Sequence, residues 1–121
     1  MKNLKYSIIY ALIRPEISEK ISIGLITLIN GKVEIRYSQQ KLNALKSLLR
    51  EKEHKFLSRM VKYMKKQETL KTEADIEYLH RYSNNLLAVS PLQTMDLEPT
   101  SQNKEKLYKT YVYRSPKTYE V

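Results

Sequence analysis

The sequence predicts an α+β domain: an antiparallel sheet built from N-terminal hairpins and a later strand near residues 85–90, with helices packed on one face. Three observations predict it. Roughly the first forty residues carry β-branched, period-two patterning; an Asn-Gly pair separates two of these runs; and beyond Ser38 the apolar spacing turns helical.

Residues 6–13 read as the first strand. Arg14-Pro15-Glu16 closes it, because Pro15 has no amide donor and holds Arg14 extended. A second strand runs from about Lys20 to Ile29, alternating at first and then almost continuously apolar, as a central strand covered on at least one face would be. Gly24 inside it predicts a bulge or a close backbone approach. Asn30-Gly31 accepts the positive φ of a type I′ turn and leads into Lys32–Tyr37, a half-buried strand suited to an edge.

Ser38 is the expected N-cap of the first helix. Leu42, Leu45, Leu48 and Leu49 form one apolar stripe, and Phe56, Leu57, Met60, Val61 and Met64 form the next, with a break expected near residues 51–54. A third helix follows Thr72, with Glu73, Asp75 and Glu77 complementing the dipole at its start and Ile76 and Leu79 facing inward. Asn84-Asn85 interrupts, residues 86–89 read as a strand, and Pro91 keeps Ser90 extended. After a loop through Pro99, Ser101 is the expected cap of a last helix carrying Leu107, Tyr108, Tyr111 and Val112, which Ser115-Pro116 ends. Residues 1–115 are thus expected to form one domain, and 116–121 a loose tail.

Composition narrows the function. The 121 residues hold 22 Lys and Arg against 13 Asp and Glu, a net charge of +9, with 41% hydrophobic content typical of a globular chain. No apolar run is long enough to cross a membrane, and the opening residues lack a signal-peptide core, so a cytoplasmic protein without membrane contact is expected. The absence of Cys removes disulfides and thiolate chemistry, and two His leave a poor basis for zinc. With two Gly in the chain there is no phosphate-cradling loop or dinucleotide fingerprint. No catalytic residue, metal ligand set or cofactor is assigned, and a non-enzymatic protein is expected.

Charge is concentrated in one region. Lys41, Lys46, Arg50, Lys52, Lys55, Arg59, Lys62, Lys65 and Lys66 face only Glu51 and Glu53 between residues 41 and 66, which leaves +7 of the total +9 there. Lys46, Lys52, Lys55, Arg59, Lys62, Lys65 and Lys66 make a candidate basic face for an acidic protein or for nucleic acid, with Phe56 and Tyr63 near enough to stack on bases. The competing expectation is a solvated helix face whose Lys stems cover apolar surface. Arg14, Glu19 and Ser90 are a candidate polar site; the simpler reading is a paired turn and a strand-end hydroxyl bonded to backbone. His54 is expected at the surface of a helix junction. Ten Tyr against one Phe and no Trp, with Tyr108, Tyr111 and Tyr113 near the C-terminus, suggest a protein interface or ordinary helix packing.

Two segments carry a family resemblance. Pro15, Glu19 and Ile23-Gly24-Leu25-Ile26, then Leu86-Leu87-Ala88-Val89-Ser90-Pro91-Leu92-Gln93-Thr94 with Glu98-Pro99 and Leu107-Tyr108, together resemble the bacterial family catalogued as domain of unknown function 3037. Ser22, Tyr10 and Met95 depart from it, standing where that family favours Asn, Arg and Gly. The resemblance implies a compact domain of α and β elements, often encoded beside a kinase-like protein of the HipA toxin type, and hence an accessory or antitoxin-like partner of such a kinase.

Overall fold

The computed structural model describes residues 3–17, 19–29, 31–66, 72–81, 86–96, 98 and 100–112. The first apolar run becomes β1 (Asn3–Arg14), and a single 3-10 turn at Pro15–Ile17 returns the chain into β2 (Glu19–Ile29). The edge strand β3 (Lys32–Tyr37) pairs with β2; on its other side β1 meets β4 (Leu87–Val89) and β5 (Gln93–Asp96). Every pairing is antiparallel, so the class is α+β as the sequence predicts.

The β2–β3 register places Ile29 opposite Lys32, a two-residue turn in which Gly31 takes φ of 79°. Asn30, the Asn84-Asn85 interruption, Tyr113 and the 116–121 tail lie outside the described residues, as do the side chains of Lys66 and Leu79. Gly24 meets both expectations at once. The ladder slips beside it, pairing Ile9 with Gly24 but Tyr10 with Ser22 and leaving Ile23 as the extra residue. A Cβ on Gly24 would stand 3.0 Å from the Arg36 carbonyl oxygen and 3.1 Å from Ile9 Cδ1. Alanine gains about 0.4–1 kcal/mol by restricting the unfolded chain, yet overpacking against fixed backbone costs about 1–3 kcal/mol. Gly24→Ala is therefore expected to lower stability by about 1–2 kcal/mol in urea unfolding.

The strand β5 falls where the sequence suggests loop. Between the pairs Ile9–Val89 and Tyr6–Gln93, β1 has Ser7 and Ile8 while its partner has Ser90, Pro91 and Leu92, a bulge of one residue. Pro91 cannot donate to a ladder, which hides the continuation from a pattern search. Ser90 repairs the gap: its N–H donates to Ile8 O at 2.9 Å and its Oγ accepts from Ile8 N–H at 2.8 Å.

Among the described residues four helices accompany the sheet: α1 (Gln39–Ala44), prolonged by a 3-10 turn at Leu45–Ser47, then α2 (Glu51–Lys66), α3 (Glu73–Arg81) and α4 (Ser101–Tyr111). Ser38 caps α1, its Oγ accepting from Lys41 N–H at 3.1 Å. Thr72 and Asp75 cap α3 reciprocally, each side chain accepting from the other's N–H. The break before α2 lies at residues 48–50, ahead of the expected 51–54, because Glu53 serves the new helix: its Oε1 accepts from Arg50 N–H at 3.1 Å. Leu48 consequently leaves the apolar stripe and is 54% exposed. At α4 the cap is Thr100, accepting from Asn103 N–H, and Ser101 is the first helical residue.

The expectation that the helices share one face of the sheet fails. Ile9 and Ala11 of β1 bury with Leu42, Leu45, Leu57, Val61 and Ile76, so α1, α2 and α3 cover one face. Leu4, Tyr6 and Ile8 point the other way, as the period of two requires, and bury with Leu107 and Tyr108 of α4 and with Val112 just past its end. Burial, then the hydrogen bond to Tyr111, push the Tyr6 phenol from 10.0 up to about 12. The folded state therefore keeps a proton that the unfolded chain releases first. This contribution is whole below pH 10 and is lost as pH rises towards about 12. The thermal midpoint should fall across that window, and fall less in Tyr6→Phe.

Candidate functional site

Amphipathic α2 organises the basic region. His54, Leu57, Val61 and Met64 are buried on its inward side, which leaves Lys52, Lys55, Arg59 and Lys62 exposed together on the outward side and Lys65 exposed on the flank toward β3. Lys46 joins them from the preceding 3-10 turn, lining with Glu51, His54, Lys55, Ser58 and Arg59 a groove of about 630 Å³. Lys55 pairs with Glu51 at 3.1 Å, an exposed i,i+4 contact worth a few tenths of a kcal/mol. Among the described residues no carboxylate pairs with Lys46, Lys52, Arg59 or Lys62. Lys65 instead lies 5.5 Å from the Tyr37 ring centroid. Lys41, counted in the same charge run, is drawn away, its Nζ donating to Ser22 O at 2.7 Å.

Phe56 corrects the expected apolar stripe. It is 52% exposed, and Tyr63, one heptad later, is 57% exposed. Lys52, Phe56, Arg59 and Tyr63 follow each other at spacings of four, three and four residues, which places cation and aromatic ring alternately along one line of the helix. That spacing is readable in the sequence once Phe56 is released from the core.

His54 is not at the surface as expected. It is buried, and its Nε2 donates to Leu42 O at 2.6 Å, satisfying a carbonyl at the end of α1. His80 Nδ1 donates to Val89 O at 2.8 Å and ties α3 to β4. Both rings thus serve backbone carbonyls, and among the described residues no group of three His, Cys, Asp or Glu could hold a metal ion.

The polar trio does not converge. Arg14 and Glu19 face each other in the β1–β2 register, with Glu16 3.9 Å from Arg14. Ser90 sits against Ile8, six residues along β1 from Arg14, about 20 Å away at the rise of a strand. Its hydroxyl is committed to the ladder.

The tyrosines of α4 are also engaged. Tyr108 is buried, and the Arg36 guanidinium lies 3.8 Å over its ring while donating to both Glu105 oxygens at 2.6 and 3.3 Å. Lys104 Nζ donates to Glu34 at 2.8 Å beside it. These pairs hold Glu105 and Glu34 below the usual carboxylate range, through the Arg36 and Lys104 hydrogen bonds respectively, while burial raises the Tyr108 phenol. Tyr111, 37% exposed, stacks on Tyr6 with centroids 5.5 Å apart. The cations between α4 and β3 are thus neutralised in place, whereas Lys52, Arg59 and Lys62 on α2 meet no carboxylate among the described residues. This clamp has no local signature, since Arg36 and Glu105 are 69 residues apart.

No helix among the described residues is long and apolar enough to cross a membrane. No protein-family model, curated protein or solved structure matches the chain.

Proposed function

We propose that the protein is a binding module without chemistry of its own, and that the outward face of α2 binds nucleic acid through its phosphates with little regard to sequence. The observation that carries this reading is the set of exposed cations, Lys52, Arg59 and Lys62 on a helix whose other side is anchored in the core and Lys46 on the turn before it, none with a carboxylate partner among the described residues. A row of such charges displaces condensed counterions from a phosphate backbone, a gain that needs no base contact. The groove lined by Lys46, Lys55 and Arg59 adds a concave place where several donors reach one phosphate.

An acidic protein would answer to the same charge. The resemblance to domain 3037 proposes a HipA-type kinase as such a partner, with this chain as an accessory or antitoxin-like component. For that partnership too α2 is the surface on offer, since Tyr108 is buried and Tyr111 stacks on Tyr6.

Titration of a mixed-sequence oligonucleotide into isotope-labelled protein tests the reading by amide chemical shifts. Shifts should concentrate between Lys46 and Lys65. Shifts confined to α4, or none at low salt, would overturn it.

A further inference from the structure

Charge alone does not require the two rings. Phe56 and Tyr63 are more than half exposed on a helix that buries Leu57, Val61 and Met64 completely or nearly so. Exposing two rings to water has a cost that a purely electrostatic surface would avoid, because Lys or Gln at either position would serve charge and solubility better. Their placement is regular as well. Seven residues apart, they project from one side of α2 about 10.5 Å from each other along its axis. Lys52 and Arg59 alternate with them, and Lys55 and Lys62 lie one row further round.

We propose, resting on the nucleic-acid reading above, that this line is a platform for single-stranded nucleic acid. Phosphates follow the Lys55, Arg59 and Lys62 row while bases turn to the Phe56 and Tyr63 flank and stack there. Two features of the ligand decide for a single strand. A duplex keeps its base faces inside its own stack and offers the rings nothing, whereas an unpaired strand presents a π-face at every nucleotide. The separation of the rings also matches about three nucleotides at 3.4 Å each, so two stacked bases can bracket a short run of backbone over Arg59. Stacking is tolerant of base identity, as the proposed sequence independence requires.

The test is fluorescence anisotropy with one mixed-sequence 20-mer, offered as a single strand and as its duplex, at about 0.1 M salt. The single strand should bind more tightly. Phe56→Ala and Tyr63→Ala should each weaken single-strand binding by about five- to 150-fold and leave duplex binding almost unchanged, while Tyr63→Phe, which keeps the ring, should bind as the parent does. Circular dichroism of each variant should be unaltered, since neither ring is in the core. Equal affinity for strand and duplex, with both alanine variants silent, would overturn the platform and leave the phosphate reading standing. Binding of neither form would overturn both. Polyglutamate binding as tightly as the single strand, with the same loss in the alanine variants, would overturn the platform in favour of an acidic protein.

Discussion

Reversing three charges together, Lys55→Glu, Arg59→Glu and Lys62→Glu, should weaken nucleic-acid binding about a thousandfold and leave the protein folded. Each site loses an attraction and acquires a repulsion. At about 4 Å in water a unit pair is worth about 1 kcal/mol, so six such changes approach 6 kcal/mol before salt screens them. A thousandfold is about 4 kcal/mol, the part that survives screening at physiological ionic strength. All three side chains are exposed, and the cost to folding is limited to the i,i+4 pair of Lys55 with Glu51 and its replacement by a repulsion, a few tenths of a kcal/mol. Equilibrium binding measured beside a thermal melt separates the two effects.

One position beyond Phe56, the expectation is opposite in kind. Leu57→Ala should cost about 2–5 kcal/mol of stability, because Leu57 is fully buried among Ile9, Val61 and Ile76, and its truncation leaves a cavity that a helix on a sheet cannot close. Against a total of about 5–15 kcal/mol, this is a large share. The urea midpoint should fall with the slope unchanged, the sign of lost stability without a change in the surface exposed. Phe56→Ala should move stability by less than about 0.5 kcal/mol, as surface changes do. Adjacent residues thus divide the two roles of α2, Leu57 holding the helix and Phe56 presenting it.

Much of the sheet was legible because its signals are local. Gly24 announced the slip opposite Ile9, Gly31 the hairpin, Ser38 and Thr72 their helices, and Ser90 its bond to backbone, each through a constraint acting within a few residues. The face chosen by α4 was not legible, since helical periodicity reports that a helix has an inward side and not which surface receives it. The opening strand held the clue: Ile8 and Ile9 are both buried, and consecutive buried residues in a strand require cover on both faces. The strand β5 was hidden by Pro91, and His54 by its charged neighbours Glu53 and Lys55, which suggest surface although the ring is needed by Leu42 O.

For the candidate site the same division holds. A run of Lys and Arg is visible in any sequence, and its clustering on α2 followed from spacing alone. Which charges stay unpaired depends on partners distant in the chain. Arg36 is neutralised by Glu105 and Lys104 by Glu34, while Lys52, Arg59 and Lys62 meet no carboxylate among the described residues. The same distance effect removed Tyr108 from the candidate interface, because its burial depends on packing against β1 and β2.

The most direct measurement of the central claim is the dependence of single-strand affinity on salt. Contacts from Lys46, Lys52, Lys55, Arg59 and Lys62 to about five phosphates should make log K fall linearly with log salt at a slope of about −3 to −4. A slope near zero, or affinity that persists unchanged as salt is raised several-fold, would contradict binding by the outward face of α2.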